Sequence, residues 1–404
     1  MSLRNYFSFF LLICAAATLT AQNDTNANYS KKDFLDVWRN WKGKEAFTFL
    51  EQQQRDTANI YFSIMPAVTA NGSDKGFVTS VMSAFYLGNK QTTNLSTVYF
   101  TPYFTFSNQY VLPIRYSIWA KNNSFNFTGD YRFMKYPQIQ YNIYDPPNDD
   151  PEFILDYYQL RFYQTISKGI FPNLAIGVGL QFDYYYNINE NPIETNEVNT
   201  SPTSYREYQD TIVSDVYSGG PTIEIVYDDR RNTVESFKGN YIRTSFRQNI
   251  SFLGGSEIWN SVTIDARKYI PLTNKRHQTL ALWALYWSVQ SGKPYYLDLP
   301  SNGWDNYGKT GRGQYRNRFR SSSLLYFEAE YRAYLTQNGL WGMVAFCNLV
   351  SPSKLFTNQF QNFNLAAGLG LRLKIDKRTG AKVGFDVALS KDYWTYYVTL
   401  NEFF

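Results

Sequence analysis

From about Asn59 to Phe404 the chain alternates apolar and polar residues with a period of two. The clearest stretch is Phe363–Lys374. There Phe363, Leu365, Ala367, Leu369, Leu371 and Leu373 share one face, and Asn364, Ala366, Gly368, Gly370, Arg372 and Lys374 share the other. Val383, Phe385, Val387 and Leu389 alternate with Lys382, Gly384, Asp386 and Ser390. Leu325, Phe327, Ala329, Tyr331 and Ala333 alternate with Tyr326, Glu328, Glu330, Arg332 and Tyr334. This spacing places successive side chains on opposite faces of a strand, one apolar and one carrying charges of both signs. Composition narrows the choice further. Tyr 35, Phe 31 and Trp 9 make the chain 19% aromatic. The mean hydropathy of −0.41 excludes a bundle of apolar transmembrane helices. A net charge of only +5 with this many aromatics excludes disorder.

Two N-terminal segments stand outside the pattern. Residues 1–21 read as a signal peptide, with Arg4 as the positive region, Tyr6 to Ala17 as a short apolar region, and Leu19-Thr20-Ala21 before a cut at Gln22. The exported chain would keep one cysteine, Cys347, and no internal disulfide. Residues 22–56 form a polar lead, in which Phe34, Val37, Trp38 and Trp41 fall at helical spacing within Lys32–Lys44. A short amphipathic helix is expected there, resting on the rest of the protein or binding a periplasmic partner.

Residues 57–404 supply sixteen candidate strands, beginning near Asn59, Phe77, Ser96, Tyr110, Ser124, Ile154, Asn173, Asp215, Asn240, Glu257, Thr279, Ser323, Leu340, Gln361, Ala381 and Thr395. Most are near the roughly 9–11 residues that a tilted strand needs to cross a bilayer. The connections alternate in length. Lys135–Phe153, Tyr186–Ser214, Ser291–Ser322 and Ser351–Phe360 are long, whereas Ser167–Pro172, Arg230–Gly239, Thr336–Gly339 and Asp376–Gly380 are short. Long outer loops against short periplasmic turns, with an even strand count, describe an outer-membrane barrel. In lipid no backbone polar group can stay unpaired, so an open sheet is excluded. The expectation is an all-β, sixteen-stranded antiparallel transmembrane β-barrel behind a short periplasmic segment. A soluble two-sheet sandwich would instead bury its apolar rows against each other. Tyr396, Val398, Leu400 and Phe404 share one face at the end of the chain, where Glu402 breaks the alternation. This row looks like the C-terminal strand read by outer-membrane assembly machineries.

A motif adds to this pattern. Gly311-Arg312-Gly313-Gln314-Tyr315-Arg316-Asn317-Arg318-Phe319-Arg320 resembles the sixth-loop Arg-Gly motif of bacterial surface antigen barrels, the BamA/TamA superfamily. The strand count puts it between strands eleven and twelve, where that family has it. Tyr227-Asp228-Asp229-Arg230-Arg231-Asn232 with Lys238-Gly239 resembles the family's turn between strands eight and nine. Glu330-Tyr331-Arg332 resembles its strand-twelve motif, and Phe346-Cys347-Asn348 its strand-thirteen Phe-x-Asp. Here Gln314 stands where the aromatic usually follows Arg-Gly, Asn348 replaces the acid, and Val350 replaces a glycine. Residues 22–56 are too short for a POTRA domain, so the resemblance is to a barrel lacking POTRA domains. It implies an accessory or scaffold in outer-membrane protein or lipid assembly. A passive or selective channel and a structural surface antigen are the alternatives. Arg312 and Gly313 would anchor the loop in the lumen against Glu328 and Glu330, beside Phe346 and Asn348, since a guanidinium fork suits shielded carboxylates.

Other features point away from chemistry. The single histidine, His277, falls in a short turn with no nucleophile, so no enzyme is expected. One His and one exported Cys exclude a zinc site. Asp145, Asp149, Asp150 and Glu152 read as a solvated acidic loop rather than a calcium loop. Without a phosphate loop or a basic stripe, neither a cofactor nor nucleic acid is expected. Trp283 to Trp287 and Tyr393-Trp394 read as interfacial girdles. The expected partners are outer-membrane lipids, the outer-membrane assembly machinery, and a periplasmic protein at residues 32–44. The expected location is the cell outer membrane.

Overall fold

A computed structural model describes residues 32–43, 60–71, 74–89, 91–143, 151–193, 203–210, 213–230, 232–253, 257–273, 278–360, 362–377, 380–391 and 393–404. The signal peptide, His277, Arg231, Asp145, Asp149 and Asp150 lie outside these residues. A helix, α1 (Phe34–Trp41), precedes β1 (Ile60–Asn71), β2 (Asp74–Phe85), β3 (Ser96–Phe100), β4 (Tyr103–Thr105), β5 (Tyr110–Trp119), β6 (Phe125–Lys135), β7 (Gln138–Tyr141), β8 (Pro151–Phe171) and β9 (Leu174–Pro192). After α2 (Ser204–Gln209) come β10 (Val216–Asp228), β11 (Gly239–Asn249), β12 (Trp259–Thr273), β13 (Gln278–Ser291), β14 (Ser323–Tyr334), β15 (Trp341–Pro352), β16 (Asn364–Asp376), β17 (Ala381–Ser390) and β18 (Trp394–Leu400).

These eighteen segments form one antiparallel sheet. They occupy sixteen positions in it. β3 and β4 lie end to end between β2 and β5, and β6 and β7 lie end to end along β8. Both breaks fall at a proline, Pro102 and Pro137, which has no N–H to give to the ladder. Beside the breaks, Thr79 N–H donates to the Pro102 carbonyl and Tyr136 N–H to that of Tyr157. The expected strand count therefore describes the sheet positions, two of which are interrupted.

Burial follows the alternation. Ile223, Ile225, Leu369, Leu371, Phe385 and Leu389 are exposed on the outside, while Glu224, Asp265, Arg267, Arg372, Lys382 and Asp386 are buried inside. An exposed apolar face around a charged interior is the reverse of a soluble sandwich and matches a barrel wall in lipid. β8 and β9 are 21 and 19 residues long, well beyond a membrane crossing. Their inner faces at the long-loop end join α2 in an aromatic dome of Phe153, Leu155, Tyr157, Tyr185, Tyr205, Tyr208, Tyr296 and Leu299. Trp283 and Trp287 correct the girdle reading, because both stand on the inward row of β13 and pack inside the barrel. Trp394 remains exposed on the outside, while Tyr393 turns in to meet Tyr315.

Candidate functional site

The loop between β13 and β14 runs from the dome down into the barrel. Asp305 shapes its descending limb, accepting from the backbone N–H groups of Tyr307, Lys309 and Thr310 at 3.0, 2.8 and 2.8 Å. Asn302 ties the two limbs together: its amide donates to the Tyr315 carbonyl and its oxygen accepts from Phe319 N–H. The turn at the tip is Gly311-Arg312-Gly313. Gly313 has φ +88° and lies so close to β16 and β17 that a Cβ there would sit 2.9 Å from that of Ala366 and 3.1 Å from that of Ala388. A glycine is needed on both counts.

This turn delivers Arg312 to three carboxylates. Its guanidinium is 3.0 Å from Glu328 and 2.6 Å from Glu330, both on β14, and 2.5 Å from Asp386 on β17. All four side chains are fully buried. The guanidinium lies over the Phe346 ring, 3.4 Å from its centroid, with the Phe403 ring at 4.3 Å. Asn348 donates to the Arg312 carbonyl at 2.6 Å, and Gly313 N–H donates to the Tyr397 hydroxyl at 2.7 Å. Gln314 donates to the Leu365 carbonyl.

The pairing continues along the wall. Glu330 also holds Arg332 at 2.6 Å, Asp386 holds Arg372 at 2.5 Å, and Glu402 holds Arg372 at 3.0 Å and Lys382 at 2.5 Å. Glu235, on the turn after β10, reaches Lys382 at 2.7 Å and Lys374 at 3.3 Å. Arg312, Arg332, Arg372, Lys374 and Lys382 thus face Glu235, Glu328, Glu330, Asp386 and Glu402, five against five. A balanced set is what a shielded interior tolerates, because an unmatched charge there costs several kcal/mol, of order 3–5.

Every residue expected at the loop anchor is present: Arg312, Gly313, Glu328, Glu330, Phe346 and Asn348 converge. One participant was not foreseen: Asp386 supplies the third carboxylate. Asn348, which was expected here, takes part as a donor. The sequence did carry a signal for Asp386, which shares the inward row of β17 with Lys382. The C-terminal row divides. Tyr396, Val398 and Leu400 stay on the outer side of β18, but β18 ends at Leu400 and Asn401 has φ +66°. That turn sends Glu402 into the ion-pair network and Phe403 and Phe404 into the barrel. Phe404 therefore leaves the outward row; its ring lies 5.3 Å from Trp283 and its carbonyl accepts from Arg332 at 2.8 Å. The break in alternation at Glu402 marks this turn.

Two further elements border the site. Lys309 is partly buried and donates to the carbonyls of Glu402 and Phe403. Burial, reinforced by Arg267 and Arg115, pushes its ammonium down to about 7. A cavity of about 300 Å³ runs between the loop and the β4–β7 side, past Arg316 and Tyr136. Among the described residues no cluster of metal ligands occurs, and Glu152 accepts from Ser204 N–H at the start of α2. The arrangement holds a loop inside a barrel.

No family model and no curated protein matches the chain. Solved structures do. BamA from Haemophilus ducreyi lacking POTRA domains 1–3 has a TM-score of 0.54 at 10% identity, over 84% of this chain and 70% of that one. CdiB from Acinetobacter baumannii has a TM-score of 0.55 at 11% identity, over 94% and 72%. CdiB from Escherichia coli has a TM-score of 0.53 at 11% identity, over 86% and 68%. The likeness is one of fold: a large antiparallel barrel of the BamA type.

Proposed function

We propose that this chain, a barrel of the BamA type, sits in the outer membrane as a non-enzymatic accessory or scaffold in outer-membrane protein or lipid assembly. Its lumen is stoppered by the loop that carries Arg312. The observation behind this reading is the Arg312 lock, a buried cation shared by three carboxylates on two strands. A loop fixed across the bore by so many buried charges favours this reading over a freely open channel. The rival channel reading draws on the cavity of about 300 Å³ beside the loop. The partners are outer-membrane lipids and components of the assembly machinery. In this orientation the long loops face outward and the short turns face the periplasm.

Depletion of the protein in its native cells tests the role. Other heat-modifiable barrels, or the lipids of the outer leaflet, should fall in amount at the outer membrane. Unchanged barrels and lipids, together with a lost permeability to small solutes, would favour the channel. An epitope inserted at Asn191 should be labelled on intact cells, and one at Asn338 should not.

A further inference from the structure

α1 meets the barrel with its acidic side. Asp33 caps the helix, and Asp33 and Asp36 each donate a backbone N–H to the other's carboxylate at 3.0 Å. Both carboxylates then engage one residue in the turn between β16 and β17. Asp33 accepts from Lys377 N–H at 3.1 Å, and Asp36 is 2.9 Å from the Lys377 ammonium. Lys32 N–H donates to the Asn338 carbonyl in the turn between β14 and β15. The helix is thus fastened to two neighbouring short turns at one rim.

At about 100° per residue, Asp33, Asp36 and Asn40 share one side of the helix, and Phe34, Val37, Trp38 and Trp41 share the other. The apolar side is uncovered: Phe34 is 37% exposed, Trp38 43% and Trp41 79%. The rings form a continuous strip, with centroids 6.2 Å apart from Phe34 to Trp38 and 6.2 Å from Trp38 to Trp41. A helix resting on a soluble body turns its apolar stripe inward. This one does the opposite.

The same rim indicates what covers the stripe. Trp341 and Leu335, which flank the turn holding Lys32, are exposed on the barrel exterior. They continue into the outward apolar row of β16, where Leu369 and Leu371 are also exposed. The stripe therefore adjoins the wall that faces lipid. The Lys42 ammonium lies 4.6 Å from the Trp38 ring centroid, next to Arg39 on the same helix. Tryptophan beside basic residues suits the headgroup boundary, where the ring is half in hydrocarbon and the cation meets phosphate.

We infer that α1 is an interfacial anchor, its Phe34–Trp38–Trp41 strip seated in the periplasmic leaflet and Lys32 and Lys42 placed at phospholipid phosphates. The inference rests on the barrel standing in the outer membrane, and the test separates the two. In a Cys14→Ala, Cys347→Ala background, an environment-sensitive fluorophore is attached at Trp41→Cys or at Asn40→Cys. The full chain is folded into vesicles of phosphatidylethanolamine and phosphatidylglycerol. Insertion of the unlabelled chain, read by heat-modifiable migration, comes first; failure to insert would overturn the barrel reading and the anchor with it. Given insertion, the label at position 41 should be quenched several-fold more by lipids with a shallow doxyl group than the label at 40. It should also be several-fold less accessible to aqueous iodide. If labelling at 41 disturbs folding, Phe34→Cys reports on the same strip with the same expected result. Iodide access at 41 or 34 equal to that at 40, in a folded barrel, would overturn the anchor and leave the strip to a periplasmic protein.

Discussion

The two ends of one loop are held by opposite kinds of interaction. At its base, the short helical turn Tyr296–Asp298 and Leu299 sit among Phe153, Leu155, Tyr205 and Tyr208 in the dome. At its tip, Arg312 sits among three buried carboxylates. Aromatic packing is graded, so removing one group leaves the rest in place. A buried ion cluster is less graded, because deleting Arg312 takes from Glu328 the cation it pairs with and leaves Glu330 and Asp386 one partner fewer in a shielded site. The base pads the loop and the tip sets its position. Four experiments test whether the tip or the base governs the loop.

The largest effect belongs to Arg312→Ala. It leaves Glu328, Glu330 and Asp386 without their shared cation and should cost about 3–5 kcal/mol. Heat-modifiable migration should shift to lower temperature. Glu330→Ala should act in the same direction, and the double variant should fall short of the sum because both changes remove one interaction. Strict additivity would mean that the two residues act apart.

Next comes Gly313→Ala. A residue with a Cβ at φ +88° costs about 1–3 kcal/mol, and the clash with Ala366 adds to it. The same migration assay should show a smaller shift than for Arg312→Ala. A larger one would place the control of the loop in its backbone rather than in its charge.

Tyr208→Phe probes the padded end. The Tyr208 hydroxyl donates to the Pro294 carbonyl at 2.8 Å, and its loss should cost about 1 kcal/mol. Urea unfolding should register this while the tip stays docked.

A further effect is one of pH. Docking lowers the Lys309 ammonium from its ordinary 10.5 to about 7. A released loop would keep the proton up to the ordinary value, so between these two values the docked state binds fewer protons. Docking should therefore strengthen as pH rises from about 7 towards about 10, and lose this contribution below about 7. Lys309→Met should flatten that part of a melting profile taken against pH.

The tip was far more legible in the sequence than the base. Arg312, Glu328 and Glu330 could be paired because the inward row of β14 follows from a period of two and the motif from its glycines. Asp386 lay on an equally readable row, but nothing local says which strand across the lumen will face a loop. The dome was hidden because Phe153 and Leu155, Tyr205, and Tyr296 come from three separate segments, and nothing in their spacing brings those segments together. Pro102 and Pro137 were visible as residues, yet the ladder simply resumes beyond them, so they interrupt strands without changing their number. Phe404 misled for a physical reason. The period of two continues through Asn401 on paper, while the backbone turns there and puts Glu402 and the last two aromatics inside.

The most direct test of the lock is single-channel conductance in planar bilayers, comparing the natural chain with Arg312→Ala. With the loop pinned at its tip, the natural protein should be nearly silent and the variant should open often and widely. A natural protein that already conducts freely, with neither conductance nor unfolding altered by Arg312→Ala, would contradict the lock.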